Sequence, residues 1–476
     1  MSAFQVARAR QSPRLGKVSA VIVCCIIGLL PLAYADGAQN AGPPKTSDNP
    51  LNEFPHSTLI RLNTAALAHA VRAGREIQLP FGRPGGEVVK RKVQLTLRNL
   101  RSADLTEFVL KDGVAGSGSS VPLPPPATYQ GKVRDGGVAV FTITEAAIEG
   151  SMLVAPDGWS FIEPLEPLLR LRNVEPAQRE RLLKKFNHVV YNTSDLLGSV
   201  SLNDDLGGLP TAVSSVNPHL PLVMSIVADG DAGLFRAYPL DSVMPFWLKQ
   251  ETLLNAIDWL YNCVEPDANA DNAYANCGND FDGGSNGFQA RVRIDRLEVW
   301  TAGGPDASTR NAVLRQSISM THQASPLCCG PPHTAGLSSL VHFFSGKGFE
   351  DGAGEAAGIG GLNYDGDHCF DTTLEFKCNH AVSQLVPSPV SQYTFHGNAF
   401  EQQALVAHEI GHNNNAKEFF SASPVCWLFN EVCGMSLMES NTGFTDRTLY
   451  LYDTQDAQVL MGPLLAEQLE TAPSNP

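Results

Sequence analysis

The chain has 476 residues, enough for two or three domains at about 100–200 residues each, and 43% of them are hydrophobic, as in an ordinary globular protein. The net charge of -15 argues against nucleic acid as a partner, because the summed field of the protein would repel a polyanion. An acidic chain of this kind is compatible with solubility outside a cell.

The N-terminus has the pattern of a signal peptide. Basic residues precede an apolar run over 18–34, which ends in the small-residue pair Ala33 and Ala35 just before Asp36. The alternative is an uncleaved membrane anchor, but the run is short for a span and Pro31 interrupts its end. We therefore expect cleavage after residue 35, no stable membrane anchor afterwards, and export to the extracellular space or the periplasm.

Ten cysteines are present, and two of them, Cys24 and Cys25, would leave with the signal peptide. The remaining even number in an exported chain predicts disulfide bonds, although the sequence does not reveal their pairing. Short spacings make two local pairs attractive, Cys263 with Cys277 and Cys426 with Cys433. The eight cysteines are Cys263, Cys277, Cys328, Cys329, Cys369, Cys378, Cys426 and Cys433.

The cysteines divide the chain, because residues 36 to about 200 contain none. This first part alternates apolar and polar residues in short stretches and predicts a small β-rich domain with a Gly/Ser/Pro-rich loop at 113–126. A basic stretch at 178–186 is either a processing region or a solvated helix, and the connector at 192–218 should be easy to cut. The predicted strands are 93–97, 137–144, 151–154 and 159–162.

The second part alternates strand and helix patterns, which predicts a mostly parallel sheet covered by helices. Its predicted strands are 222–228, 289–300, 339–344 and 359–362. Its predicted helices are 246–263, 307–322 and 400–413.

The last of these helices carries His408-Glu409-Ile410-Gly411-His412. Two histidines four residues apart share one helix face, so both imidazoles can bind a single Zn²⁺. Zinc lowers the pKa of a bound water, and the carboxylate of Glu409 can take the proton of that water and later return it to a leaving amine. The pattern predicts a zinc-dependent peptidase with Glu409 as general base and acid.

A third protein ligand is needed, and the spacing offers Glu418. The helix would have to end sharply near Asn415, a residue type that tolerates the left-handed backbone conformation. A second candidate is Glu431, in a downstream Asn-Glu pair like the one from which thermolysin-like enzymes take their third ligand.

The pattern His408-Glu409-x-x-His412-x-x-Asn415-x-x-Glu418 resembles the metzincin signature H-E-x-x-H-x-x-G-x-x-H. Other stretches resemble, in family order, the propeptide and catalytic domain of the adamalysin (reprolysin, ADAM-like) metallopeptidases. Those similar to the propeptide are 129–133, 149–152 and 159–165. Those similar to the catalytic domain are 222–229, 253–261, 293–300, 341–346 and 358–362.

The resemblance implies an α/β (α+β) metzincin catalytic domain with a mostly parallel twisted sheet and an active-site helix, preceded by a β-rich propeptide. The expected organisation is a signal peptide over 1–35, a propeptide over 36–200 and a catalytic domain over 201–476. The family also places a methionine turn under the zinc, for which Met438 is favoured over Met435. Since the predicted propeptide lacks cysteine, it cannot inhibit the enzyme through a thiolate on the zinc. It must inhibit the enzyme sterically or through another ligand.

The expected partners are protein or peptide substrates, and the sequence leaves the oligomeric state open. The altered third ligand motivates a different class of function, a catalytically inactive secreted binding protein on a metzincin scaffold. Calcium is an additional candidate ion, because oxygen-bearing residues alternate in an acidic loop at 267–282, although a solvated turn is the simpler interpretation. Asn192-Thr193-Ser194 is a glycosylation sequon, relevant only in a eukaryotic secretory route.

Overall fold

The computed structural model describes thirteen stretches of the chain. The predicted signal peptide, the eight later cysteines and the acidic loop at 267–282 lie outside them. No helix within these stretches is long and apolar enough to cross a membrane. The described residues are 51, 55–111, 114–119, 123–154, 156–196, 222–230, 244–261, 290–301, 303–324, 340–352, 354–357, 380–387 and 395–413.

The first sheet is antiparallel throughout and is built entirely from residues before 193. Its strands are β1 (Thr58–Ile60), β2 (Ile77–Gly82), β3 (Val88–Leu97), β6 (Thr128–Val133), β7 (Val138–Ile143), β8 (Ile148–Val154), β9 (Gly158–Pro164) and β10 (His188–Asn192). They lie in the order β1-β10-β9-β8-β7-β6-β3-β2. β10 pairs with β9 along its whole length, so residues on both sides of the basic stretch belong to one sheet.

The two ends of this sheet curl toward each other, giving a nearly closed barrel. Gly82 in β2 donates its amide to the Ser160 hydroxyl in β9 at 2.8 Å, and the Asn192 side chain donates to the Gly82 carbonyl at 3.0 Å. The Asn192 amide also donates to the carbonyl of Asp157 at 2.8 Å, and the residue is 1% exposed. The acceptor asparagine of the glycosylation sequon is therefore buried in the folded protein.

Helix α1 (Thr64–Arg72) closes the interior of this sheet. It begins where the Asn63 side chain accepts the Ala66 amide at 3.1 Å, which satisfies one of the unpaired amides of the first turn. Its buried residues Ala68 and Val71 pack into an apolar cluster with alternate residues of β2, β3, β6 and β7, including Leu79 and Phe141. Burial of this cluster explains the alternating pattern of the strands.

The basic stretch at 178–186 forms a solvated helix. Helices α2 (Leu165–Leu171) and α3 (Pro176–Lys185) connect β9 to β10, and α3 has no buried residue. The guanidinium of Arg61 donates to the carbonyls of Leu183, Lys184 and Lys185 at the end of α3, which satisfies groups that a helix otherwise leaves unpaired. A protease needs an extended backbone, so this helix is a poor processing site in the folded chain.

The second sheet is mixed, and its strands come from both sides of residue 200. They are β4 (Arg101–Lys111), β5 (Val114–Ser119), β11 (Leu222–Gly230), β12 (Ala290–Trp300), β13 (Leu340–Ser345), β14 (Gly354–Ala357) and β15 (His380–Gln384). The order is β14-β15-β13-β11-β12-β4-β5. β4, β12, β11, β13 and β15 run parallel, whereas β5 and β14 are antiparallel to their neighbours at the two edges.

β4 and β5 leave the first sheet between β3 and β6 and extend the second sheet beyond β12. The loop predicted at 113–126 is therefore wrong over Val114–Ser119, which is a strand paired with β4. The register joins Thr106 to Arg296 and Leu110 to Trp300. The predicted division near residue 200 thus does not separate the two sheets along the chain.

Helices cover both faces of the second sheet. They are α4 (Met244–Tyr261), α5 (Arg310–Ala324) and α6 (Ala399–Asn413). α4 and α6 share one apolar cluster with Phe344, whereas Val313 of α5 packs with Phe343. Because successive residues of a strand point to opposite faces, α4 and α6 lie on one face and α5 on the other.

The first sheet packs on α4, and buried ion pairs reinforce the contact. The pairs are Arg98–Asp258 and Lys249–Glu149, and Arg101 of β4 in the second sheet makes a third pair with Glu251 of the same helix. Arg98 donates two hydrogen bonds of 2.7 Å to Asp258, whose side chain is fully buried and also accepts the Val292 amide. Removing either member of such a pair would leave a buried charge alone, which is strongly destabilising.

His188 in β10 makes the protein sensitive to acid. Its Nε2 accepts the Ile148 amide at 3.0 Å, and burial lowers the pKa of the imidazole from 6.5 to about 4. Because the imidazole has a lower pKa in the folded state than in the unfolded state, the unfolded state binds the proton first as the pH falls. The neutral imidazole therefore contributes its full share of the folding stability above pH 6.5. This contribution, roughly 3 kcal/mol, is lost as the pH falls through 4. We expect the free energy of unfolding, measured with denaturant, to fall over this window.

The variant His188→Gln isolates this contribution, because an amide oxygen can accept the same hydrogen bond and does not titrate. Between pH 6.5 and 4, the unfolding free energy of wild type should fall relative to that of the variant by roughly 3 kcal/mol. A difference that stays constant across that window would show that His188 is not the group responsible.

Candidate active site

The helix that carries the predicted motif is α6, and local sequence fixes where it begins. The Asn398 side chain accepts the Glu401 amide at 2.9 Å, which is the hydrogen bond of an N-cap residue. The Glu401 carboxylate reaches back and accepts the amide of His396, two residues before the N-cap, at 2.6 Å. Every residue of α6 is buried, so the motif lies inside the protein and not on a surface helix.

Two further amides at the start of α6 are bound by the first sheet. Ala399 donates to the Glu163 carboxylate of β9 at 2.8 Å, and Phe400 donates to the Tyr191 hydroxyl of β10 at 3.4 Å. Tyr191 in turn donates to Glu163. Burial raises the pKa of the Glu163 carboxyl to about 7, an effect that the nearby Lys249 ammonium reduces.

His408 and His412 converge on one point. Their Nε2 atoms are 3.0 Å apart, the ring centroids are 4.5 Å apart and the ring planes are perpendicular. Two nitrogens on a tetrahedral zinc ion, each about 2.0–2.1 Å from the metal, are separated by about 3.3 Å. A shift of a few tenths of an ångström would let both bind one ion, so the pair fits zinc.

Glu409 lies on the same helix, between the two histidines in sequence, and its carboxylate faces β14. A Cβ added to Gly354 of β14 would lie 2.9 Å from Glu409 Cδ and 2.9 Å from Leu405 Cδ1. The absence of a side chain at Gly354 is therefore what lets the edge strand approach the carboxylate. Glu409 and His408 are fully buried, and His412 is 7% exposed.

Arg310 holds the strand against which Glu409 packs. Its Nη1 donates to the Gly354 carbonyl at 3.0 Å, and its own amide donates to the Asp351 carboxylate at 2.8 Å. Neither Arg310 nor Gly354 belongs to a motif that could be recognised in the sequence. No local pattern marks them, since the contact joins the start of α5 to a strand more than forty residues later.

His342 of β13 is also buried, and it lies on the face of the sheet that α6 covers. Its Nε2 lies 3.0 Å from the Ser383 hydroxyl, and burial lowers the pKa of the imidazole to about 3. The ring also packs 4.7 Å from that of Phe344. A histidine in this setting stays neutral and acts as a packed polar core residue.

Several predicted site residues lie outside the described part of the chain. Within that part, no group of three or more His, Cys, Asp and Glu side chains could hold a metal ion. The structure brings the rings of His408 and His412 together and places the Glu409 carboxylate against β14. Those outside are Asn415, Glu418, Glu431, Met435 and Met438.

No family model matches the chain, and no curated protein sequence matches it.

Proposed function

We propose that the chain is a secreted zinc-dependent metalloendopeptidase, made as a zymogen, that hydrolyses peptide bonds of protein substrates. The observation that carries this proposal is the pair of Nε2 atoms of His408 and His412, 3.0 Å apart on a helix whose next side chain is Glu409. The two rings face each other at hydrogen-bonding distance, and a single zinc ion held by both would replace that contact. The metzincin architecture belongs to the same proposal, with a signal peptide over 1–35, a propeptide over 36–200 and a catalytic domain over 201–476.

In this proposal His408, His412 and Glu418 hold the zinc ion, with Glu431 as the alternative third ligand. Zinc supplies Lewis-acid activation of water and of the scissile carbonyl. Glu409 accepts the proton of the attacking water and later donates it to the leaving amine. The Glu409 carboxylate is fully buried, and the low dielectric constant around it strengthens its electrostatic interactions with the attacking water and with the leaving amine.

An edge strand beside Glu409 supports a peptide substrate. β14 pairs with β15 on one side and stands at the end of the sheet order, so within the described chain its outer edge has no paired strand. An extended peptide can add to such an edge through main-chain hydrogen bonds. Its scissile bond would then lie near the residue that Gly354 contacts.

Burial of the site supports synthesis as an inactive precursor. Because the Glu409 side chain is fully buried in the full-length chain, a protein substrate cannot reach it in this form. Activation must therefore open the site. Since α3 and β10 are folded elements, we place the maturation cut after residue 196 and not at the basic stretch.

The proposal is tested by incubating the exported, matured protein with casein, with and without a zinc chelator. We expect cleavage that the chelator abolishes and that added Zn²⁺ restores. If the matured, zinc-loaded protein cleaves none of several protein substrates, the peptidase proposal fails. The inactive binding protein on a metzincin scaffold then becomes the better explanation.

Gly354→Ala should slow hydrolysis while leaving zinc bound. The new methyl group would meet Glu409 Cδ at 2.9 Å, and the flexible end of the glutamate side chain would move before the strand does. A misplacement of about 1 Å can cost on the order of a hundredfold in kcat/KM. Zinc content by mass spectrometry and the thermal midpoint should remain near those of wild type, and a wild-type rate would show that the contact does not position Glu409.

A further inference from the structure

The start of α6 depends on the first sheet for its hydrogen bonds. A helix leaves its first amides without intrahelical partners. Of these, only Glu401 is bound by the local cap residue Asn398, whereas Ala399 and Phe400 donate to Glu163 and Tyr191. A carboxylate at this position also interacts favourably with the positive end of the helix dipole.

The apolar contact at the same place is continuous. The Phe161 ring of β9 stacks on Tyr191 with centroids 5.6 Å apart and meets Phe400 edge-on at 5.8 Å. Residues of β9, β10, α4 and α6 all belong to one buried cluster. Surfaces that separate readily are smaller and more polar than a shared core of this kind.

α4 extends the contact away from α6. The Asn255 side chain donates to the carbonyls of Tyr129 and Phe141 at 3.2 and 3.3 Å, which joins α4 to the middle of the first sheet. Lys249 pairs with Glu149. In the antiparallel pairing of β8 with β9, Gly150 lies opposite Ile162, so Glu149 lies opposite Glu163. The carboxylate that binds α6 is thus part of the same buried network that holds α4.

The hydrogen bonds that Glu163 and Tyr191 accept lie at the first turn of α6. His408 and His412 lie nine and thirteen residues after Ala399, about 14 and 20 Å along the axis at 1.5 Å per residue. A group bound at the first turn can hold the helix without covering the metal-binding residues.

We infer that the first sheet is a permanent part of the working enzyme, in which Glu163 and Tyr191 are positioning residues for the helix that carries His408, Glu409 and His412. The segment containing residues 51–196 then stays docked after the chain is cut, and the site around Glu409 opens through a change elsewhere in the chain. This inference rests on the proposed function, because it assigns the sheet a role toward that site.

The first test uses hydrogen exchange in the metal-free full-length protein. Glu163→Ala should weaken the protection of the amides at the start of α6 by about fivefold, the usual effect of losing a helix cap. Glu163→Gln keeps an acceptor oxygen and should restore protection. Ser160→Ala, in the same strand but bonded to Gly82, serves as the matched control and should leave α6 unchanged.

The second test cuts the full chain once, at a site-specific protease sequence placed between residues 200 and 215. We expect the two fragments to co-elute in native size-exclusion chromatography and to take up Co²⁺ with the visible absorption of the intact protein. Separation of the fragments, with undiminished Co²⁺ binding and casein cleavage by the C-terminal one, would overturn the inference. So would unchanged protection of α6 in Glu163→Ala.

These outcomes are distinct from failure of the proposed function. If intact wild type neither takes up metal nor cleaves casein, the peptidase proposal fails, yet co-elution and exchange still report whether the sheet holds α6. Should Glu163→Ala fail to fold, Tyr191→Phe offers a milder change. It removes the hydroxyl that Phe400 donates to and keeps the stacked ring.

Discussion

Glu409→Gln is expected to abolish peptide hydrolysis while leaving zinc in place. The amide has nearly the shape of the carboxylate, so α6 and its two histidines should keep their positions. It cannot accept the proton of the attacking water, and loss of a general base costs typically 10²–10⁴-fold in rate. We therefore expect kcat to fall by about a thousandfold with KM little changed, measured on a fluorogenic peptide.

The matched control is Glu350→Gln, the same change at an exposed acid. It should retain wild-type kinetics. Zinc content of both variants should be one ion per chain. A Glu409→Gln enzyme with more than a tenth of wild-type activity would remove Glu409 from the mechanism, and one without zinc would show that the carboxylate is structural.

His408→Ala and His412→Ala should each lower the zinc content from one ion per chain toward zero. Each change removes one of two nitrogens that converge within 3.0 Å, and no described side chain completes the set. The free energy of binding at such sites is large, so the loss should also lower the thermal midpoint of the zinc-loaded protein. Dialysed samples can be read by metal analysis and calorimetry.

The same assay identifies the third ligand. If Glu418 binds zinc, Glu418→Ala should lose most of the metal while Glu431→Ala keeps it, and the reverse result would assign the site to Glu431. His69→Ala changes an exposed histidine of α1 and serves as the control. Full zinc occupancy in both His408→Ala and His412→Ala would place any metal elsewhere in the chain.

The sequence predicted the elements that have a strong local pattern. The strands at 222–228 and 289–300 correspond to β11 and β12, and the helix at 400–413 corresponds to α6. Alternation and helical spacing act within a few residues, so they can be read without knowing the fold. The motif on α6 is equally local, because both histidines and the glutamate belong to one helix.

Other elements follow from contacts between distant residues. β5 was predicted as loop because its glycines and serines favour turns, but pairing with β4 overrides that preference. The hydrogen bond from the first turn of α6 to the first sheet is a clearer case, since its partners Ala399 and Glu163 are 236 residues apart. Nothing near Glu163 marks it as a helix cap, just as nothing near Gly354 marks it as the neighbour of Glu409.

β4 and β5 lie between two strands of the first sheet in the chain but belong to the second sheet, and this affects the order in which the protein folds. β4 leaves the first sheet after β3, yet its partner β12 follows about 190 residues later in the chain. At 5–20 residues per second, a chain that folds during synthesis would wait roughly 10–40 s for that partner. During this time the β4–β5 hairpin carries an unpaired edge on which another chain could add. Pairing of β4 with β12 closes a loop of about 190 residues, so we expect it to form late and to leave the β4–β5 edge open to aggregation until then.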